Sequence, residues 1–269
     1  MNSVFVVGGE SACKHSVVRE LVNRGYDVYC GVGEARDAAA IGAQGATIHQ
    51  LDTDDPDTVT SSINTLLRLV STVDGLIMMP ERGVFGSIEE ADVGDVENLF
   101  YRNIIIPKLF LESILPFMRS QQRGSLVLVN REMRNHALGN NGWMRSFDVA
   151  RTALIETLRT ELGNAGIKCF KMQTQLDTEC FDGVHQLIHD TNGHSSFYQP
   201  QIDAQRRSQR DSDEGVWRCS SFANQVCDLL PARPTLAQIN QNKTNHKLSD
   251  ASISGQVGKL LSWFQRAEG

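Results

Sequence analysis

Five consecutive residues, Ser125 to Val129 (SLVLV), stand between Gly124 and the polar Asn130, and a second run that reads as a strand begins at Ile167. An apolar run of this length, bounded by turn and polar residues, reads as a buried strand. Between the two runs lie a loop and a helix from about Ser146 to Asn164. That helix carries Val149, Ala153, Leu154, Thr157, Leu158 and Leu162 on one face, with Gly163 and Gly166 near its end. Strand, helix, strand is the order that joins parallel neighbours in one sheet, because parallel strands need a crossover.

The same unit opens the chain. Ser3 to Val7 reads as a strand and Gly8 to Lys14 as a loop. A helix with Val17, Val18, Leu21 and Val22 inward follows, closed by Gly25, and then a second strand from Asp27 to Val32. A third strand, Ala46 to Leu51, ends at Asp52; Asp52, Asp54 and Asp55 before Pro56 also suit a turn and a helix cap. The helix from Asp57 to Val70 keeps Val59, Ile63, Leu66, Leu67 and Val70 on one stripe, and Gly75 to Met79 is a fourth strand. A long helical pattern from Val96 to Met118 is interrupted at Pro107.

Residues 177–219 are polar, with Arg206, Arg207 and Arg210 beside Asp211, Asp213 and Glu214, and predict a flexible, solvated segment with a short helix near Val184 to Ile188. Order returns at Ser220 in a helix carrying Phe222, Val226, Leu229 and Leu230, followed by Pro231, Pro234 and a last strand near Leu236 to Asn240. Residues 243–269 are a linker and an amphipathic helix. Its apolar positions, Ile253, Val257, Leu260, Leu261 and Phe264, suit a tail docked on its own domain or a protein partner bound at 251–266.

A chain of 269 residues, 41% hydrophobic and 22% charged, is enough for one well-buried α/β domain. Its net charge of -6 argues against nucleic acid as a partner. No apolar run approaches membrane-spanning length, and the N-terminus reads as a strand rather than a signal peptide. Six cysteines (Cys13, Cys30, Cys169, Cys180, Cys219 and Cys227) lack CxxC spacing and read as free thiols in a reducing cytoplasm. His185, His189 and His194 have no ordered carboxylate or thiol pattern near them and read as a solvated face, so no metal site is expected.

The order of elements resembles the short-chain dehydrogenase/reductase superfamily over most of residues 1–242. The resemblance implies a Rossmann-like, doubly wound parallel sheet in three layers (α/β/α), a single domain with 177–219 as a substrate lid and a C-terminal helical extension. Such proteins carry a catalytic serine at a strand end and a YxxxK motif at the start of the next long helix. Here the matching positions hold Arg131 (beside Asn130), Phe147 and Arg151. A phenyl ring has no proton to donate, and arginine keeps the charge of lysine without its compact ammonium.

The glycine-rich TGxxxGxG loop falls on Gly8, Ala12 and Lys14, so only the first glycine remains. The NNAG after the fourth strand becomes Met78, Met79, Pro80 and Glu81, and the PG after the strand at 167–172 becomes Thr174 and Gln175. Asn103 matches the family's structural and catalytic asparagine, and Asp52 an aspartate placed near the adenine ring.

Catalytic residues are therefore expected to be none, with Gly8 and Asp52 as remnants of a cofactor site and no cofactor expected, NAD(P) being disfavoured. The chain reads as a pseudoenzyme that acts by binding, as a regulatory, accessory or scaffolding subunit. Arg131, Arg134, Arg145 and Arg151 are candidate ligands for a small anion. In many relatives the helices matching 96–118 and 146–164 form a homodimer interface. The enzyme alternatives are an atypical NAD(P)-dependent oxidoreductase recruiting Tyr101 or His136 as acid, and a cofactor-independent enzyme of the halohydrin dehalogenase type, for which Arg151 alone matches the triad.

Overall fold

The computed structural model describes residues 2–9, 11–32, 35–50, 56–81, 87–132, 142–175, 198, 200 and 219–231. Six strands, β1 (Ser3–Val7), β2 (Asp27–Val32), β3 (Thr47–Gln50), β4 (Gly75–Met78), β5 (Gly124–Glu132) and β6 (Ile167–Gln175), form one sheet in the order β3-β2-β1-β4-β5-β6. Every neighbouring pair is parallel, with Val4 beside both Val28 and Gly75, Gly75 beside Ser125, and Leu126 beside Cys169. The chain leaves β3 at one edge and returns to the middle at β4, so the strand order reverses between β1 and β4. In open α/β sheets that reversal marks the crevice where ligands bind.

The central strands β1, β4 and the middle of β5 read as nearly unbroken apolar runs because both faces are covered, whereas the edge strand β6 exposes Lys168 and Lys171. Val4, Val6, Val28, Cys30, Ile77, Val127 and Val129 face one helical layer. It contains α1 (Ala12–Asn23), α2 (Ala35–Gly42) and a helix late in the chain, α7 (Cys219–Asp228). Phe5, Val7, Leu76, Met78, Leu126 and Leu128 face the other layer, against Val59, Ile63 and Leu66 of α3 (Pro56–Leu67) and Phe110, Ile114 and Met118 of α5 (Ile106–Gln121). Ile155 of α6 (Gly142–Glu161) closes that face. The doubly wound parallel sheet expected from the sequence is the fold observed.

Local chemistry sets the helix boundaries. Ser11 Oγ accepts the Lys14 amide and starts α1, while Asp92 accepts the amides of Gly94 and Asp95 and starts α4 (Val93–Phe100). The long pattern through Pro107 is not one α-helix. A π-helical turn, Tyr101–Ile105, joins α4 to α5 in continuous helical backbone and leads directly into Pro107, the second residue of α5. α6 begins at Gly142, four residues before the expected start, so Arg145 lies on a helix and not in a loop. Gly166 turns the chain from α6 into β6 at φ 69°, and a Cβ there would stand 2.0 Å from the Gln122 carbonyl oxygen.

α7 is fastened to α1 at one end by Arg24, which donates to Asp228 Oδ1 at 2.6 Å and Asn224 Oδ1 at 2.7 Å. Phe222, Ala223 and Val226 then pack on the layer of Val17, Val18 and Leu21. The segments expected at Leu236 to Asn240 and Ser252 to Arg266, and almost all of 177–219, lie outside the described residues.

Candidate functional site

The carboxyl ends of β1, β2, β4 and β5 converge on the crevice, where Lys14, Glu81, Asn103, Asn130, Phe147 and Arg151 supply charge and shape. Lys14, in the first turn of α1, is 0% exposed. Its Nζ donates to the Gly8 carbonyl oxygen at 2.8 Å and the Gly31 carbonyl oxygen at 3.0 Å, so the ammonium sits in the fork between the ends of β1 and β2. Gly8, just past β1, has φ 111°, and a Cβ there would lie 2.2 Å from the Met79 carbonyl oxygen. Close backbone packing against the end of β4 therefore requires this glycine whatever binds nearby.

Glu81 follows β4 and crosses the same turn: its Oε2 lies 3.0 Å from where a Gly9 Cβ would be. Its amide donates to Asn103 Oδ1 at 3.3 Å. Asn103, buried in the π-helical turn, also donates through Nδ2 to the Leu99 carbonyl oxygen at 2.9 Å and accepts from Arg151 at 3.3 Å. One amide side chain thus ties α4, the end of β4 and α6 together.

Arg151 is 2% exposed. Its guanidinium reaches from α6 to the Met78 carbonyl oxygen at 3.0 Å as well as to Asn103. Phe147, one turn earlier on the helix, is buried, with its ring centroid 6.1 Å from that of Phe100. Asn130, near the end of β5, is buried and donates to the Asp148 carbonyl oxygen at 3.0 Å and Thr152 Oγ1 at 2.9 Å. Its own Oδ1 has no donor among the described residues.

Of the four arginines considered together as anion ligands, Arg151 is internal and Arg145 is exposed on α6. The Arg131 side chain and Arg134 lie outside the described residues, as do Asp52, His136, His185, His189, His194 and the side chains of Thr174 and Gln175. Among the described residues no group of His, Cys, Asp and Glu could hold a metal ion. Nor is any described helix long and apolar enough to cross a membrane.

Beside the crevice, Gly94, Val96, Phe100, Tyr101, Trp143 and Phe147 line an open groove of about 640 Å³. The helix faces around it expose Phe100 (46%), Val149 (70%) and Leu154 (46%). Sequence reasoning placed Lys14 at the loop but missed its two carbonyl partners, since Gly31 is 17 residues away. It also missed the meeting of Cys13 and Cys219, whose sulfurs lie 3.2 Å apart.

Comparison with known proteins places these features in context. Residues 2–183 match the family described as short chain dehydrogenase. The uncharacterized oxidoreductase YbbO of Escherichia coli K12 is 23% identical over 190 residues, covering 70% of this chain and 71% of that protein. Levodione reductase superposes with a TM-score of 0.69 at 17% identity, covering 85% of this chain and 90% of its own. ElxO, solved with NADP bound, superposes with a TM-score of 0.67 at 15% identity, covering 87% and 93%.

Proposed function

The chain belongs to the short-chain dehydrogenase family, and from that premise we propose that it is a non-catalytic, oxidoreductase-like member that acts by binding, as a regulatory or accessory subunit. The observation that carries this reading is Lys14: its buried ammonium bonds to Gly8 and Gly31 in the fork between β1 and β2. A dinucleotide lying along the carboxyl ends of these strands needs that space for its own groups.

Glu81 adds a carboxylate over the Gly9 turn, unfavourable beside a pyrophosphate. Phe147 offers no proton where a hydroxyl acid would stand, and Arg151 directs Nη1 at Asn103 and Nη2 at the Met78 carbonyl oxygen. These residues do not fit a nicotinamide dinucleotide in the usual pose, so no reaction step is drawn through one. The test is a calorimetric titration with NAD(H) and NADP(H). No heat and no melting shift at millimolar cofactor are expected; binding at micromolar concentration overturns the reading.

The proposal extends to a homodimer through α4, α5 and α6, supported by the exposed Phe100, Val149 and Leu154. It extends also to a reducing cytoplasm, which suits the buried thiols. A second reading, an atypical oxidoreductase, is favoured by the name of YbbO and by Tyr101, which lines the same groove as Phe147. Cofactor-dependent turnover lost in Tyr101→Phe would establish it.

A further inference from the structure

We propose that Cys13 and Cys219 form a reversible redox pair, a disulfide modification site that staples the start of α7 to the start of α1, with a small-molecule disulfide such as oxidised glutathione as its oxidant. Their Sγ atoms are 3.2 Å apart, although the residues are separated by 206 positions. A bond of roughly 2.0 Å requires the sulfurs to close by little more than 1 Å, within reach of small side-chain rotations.

The two helices that carry them are already held together. Arg24 grips Asp228 and Asn224 at the far end of the pair, and Phe222 and Val226 pack into the layer of Val17, Val18 and Leu21. Both sulfurs also stand at helix starts, where the dipole supports the negative charge that sulfur carries during exchange.

Accessibility orders the steps. Cys219 is partly exposed and Cys13 is buried beneath it. The Cys219 thiolate attacks one sulfur of the small disulfide, forming a mixed disulfide and expelling one small thiolate. The Cys13 thiolate then attacks Cys219 Sγ and expels the second. The two protons lost by the protein thiols go to the two departing thiolates, so two protein thiols are oxidised and one small disulfide is reduced to two thiols.

The remaining described cysteines are poor competitors. Cys30, Cys169 and Cys227 are buried. Burial pushes the Cys169 thiol up and the Cys227 thiol up to about 12, which keeps both protonated and unreactive.

The crosslink closes a loop of more than 200 residues, for which a rise in melting temperature of roughly 10 °C is expected. Because Cys13 adjoins Lys14, the staple also stiffens the segment whose ammonium fills the crevice.

The experiment incubates the full chain in buffers of graded oxidised to reduced glutathione, alkylates the remaining thiols and maps peptides by mass without reduction. The expected result is a 13–219 linked peptide, loss of two alkylatable thiols and the melting shift, all reversed by dithiothreitol. The shift is absent in Cys219→Ala and Cys13→Ser and kept in Cys180→Ser. Glutathione resting on Cys219 with no crosslink, a Cys180–Cys219 peptide, or Cys13 alkylated in every buffer overturns the proposal. The wild-type peptide map decides the matter even where Cys13→Ser fails to fold.

Discussion

Replacing Lys14 with methionine keeps the apolar stem in the core and removes only the ammonium. Two carbonyl acceptors then lose their donor: Gly8 at 2.8 Å and Gly31 at 3.0 Å. Hydrogen bonds to a charged group contribute about 1.5–3 kcal/mol each as a net figure, desolvation included. The two bonds here share one fully buried ammonium, whose desolvation methionine does not incur, so they do not add in full. With the Gly31 carbonyl buried and the Gly8 carbonyl part-buried, the net expectation for Lys14→Met is a loss of about 2 kcal/mol. In a domain of this size that lowers the melting temperature by roughly 4–8 °C. Urea unfolding should show a lower midpoint at an unchanged m value, the sign of lost stability without a change in the surface exposed. A variant as stable as the parent, or more stable, would refute the reasoning: the ammonium would then be a tolerated passenger rather than a strut between β1 and β2. Titrating the same variant with NAD(H) asks separately whether emptying the fork reopens it.

Gly8→Ala is expected to be more damaging, by about 3 kcal/mol or more, because φ 111° and a Cβ 2.2 Å from the Met79 carbonyl oxygen leave no relaxed position; soluble yield and melting temperature report it. Asp74 is buried at the opposite end of the sheet, where it pairs with Arg123 and accepts from the Ser3 amide at 3.1 Å. Asp74→Ala should cost about 3 kcal/mol in urea unfolding, the low end for a buried pair, since Arg123 keeps some solvent. The Cys227 thiol, raised by burial from its ordinary 9.0 to about 12, stays protonated in the folded chain while the unfolded chain ionises. Its contribution is complete below pH 9 and lost as pH rises to about 12; buried Cys169 and half-buried Tyr29 shift in the same direction. Melting curves taken at rising pH should fall over that window, and Cys227→Ala should flatten the fall. Phe100→Asp should shift the proposed dimer to monomer in sedimentation velocity while leaving the far-ultraviolet circular dichroism unchanged, because Phe100 is 46% exposed in the single chain.

The strands of the sheet were legible, though not all their ends: those expected at Ser125 to Val129 and at 167–172 run on to Glu132 and Gln175, so Thr174 and Gln175 lie within a strand. Ser125 to Val129 and Ser3 to Val7 had to be strands because their apolar runs are too continuous for a surface element, and both faces are indeed covered. Helix ends were less legible. The helical pattern interrupted at Pro107 holds a π-helical turn just before it, Tyr101–Ile105, where Asn103 bonds to Leu99, Glu81 and Arg151, partners that no local window brings together. Arg145 and Arg151 looked alike in sequence, six residues apart on one helix, yet one is exposed and the other bonds to the end of β4. The position of β4 beneath α6 makes that difference, and no local window contains it.

The sequence by itself determined the alternation of strand and helix, the parallel sheet and the identities of Phe147, Arg151 and Lys14, since burial periodicity and residue identity are local properties. Tertiary structure alone decided what those residues touch. Lys14 reaching Gly31, Arg151 reaching Met78 and Cys13 meeting Cys219 each span a stretch of chain, from 17 to 206 positions, whose return path is set by packing both faces of the sheet. Hydrophobic burial is non-directional and selects the fold through many weak contacts. A hydrogen bond or a sulfur contact needs atoms within about 3 Å, a distance that exists only after the core has closed.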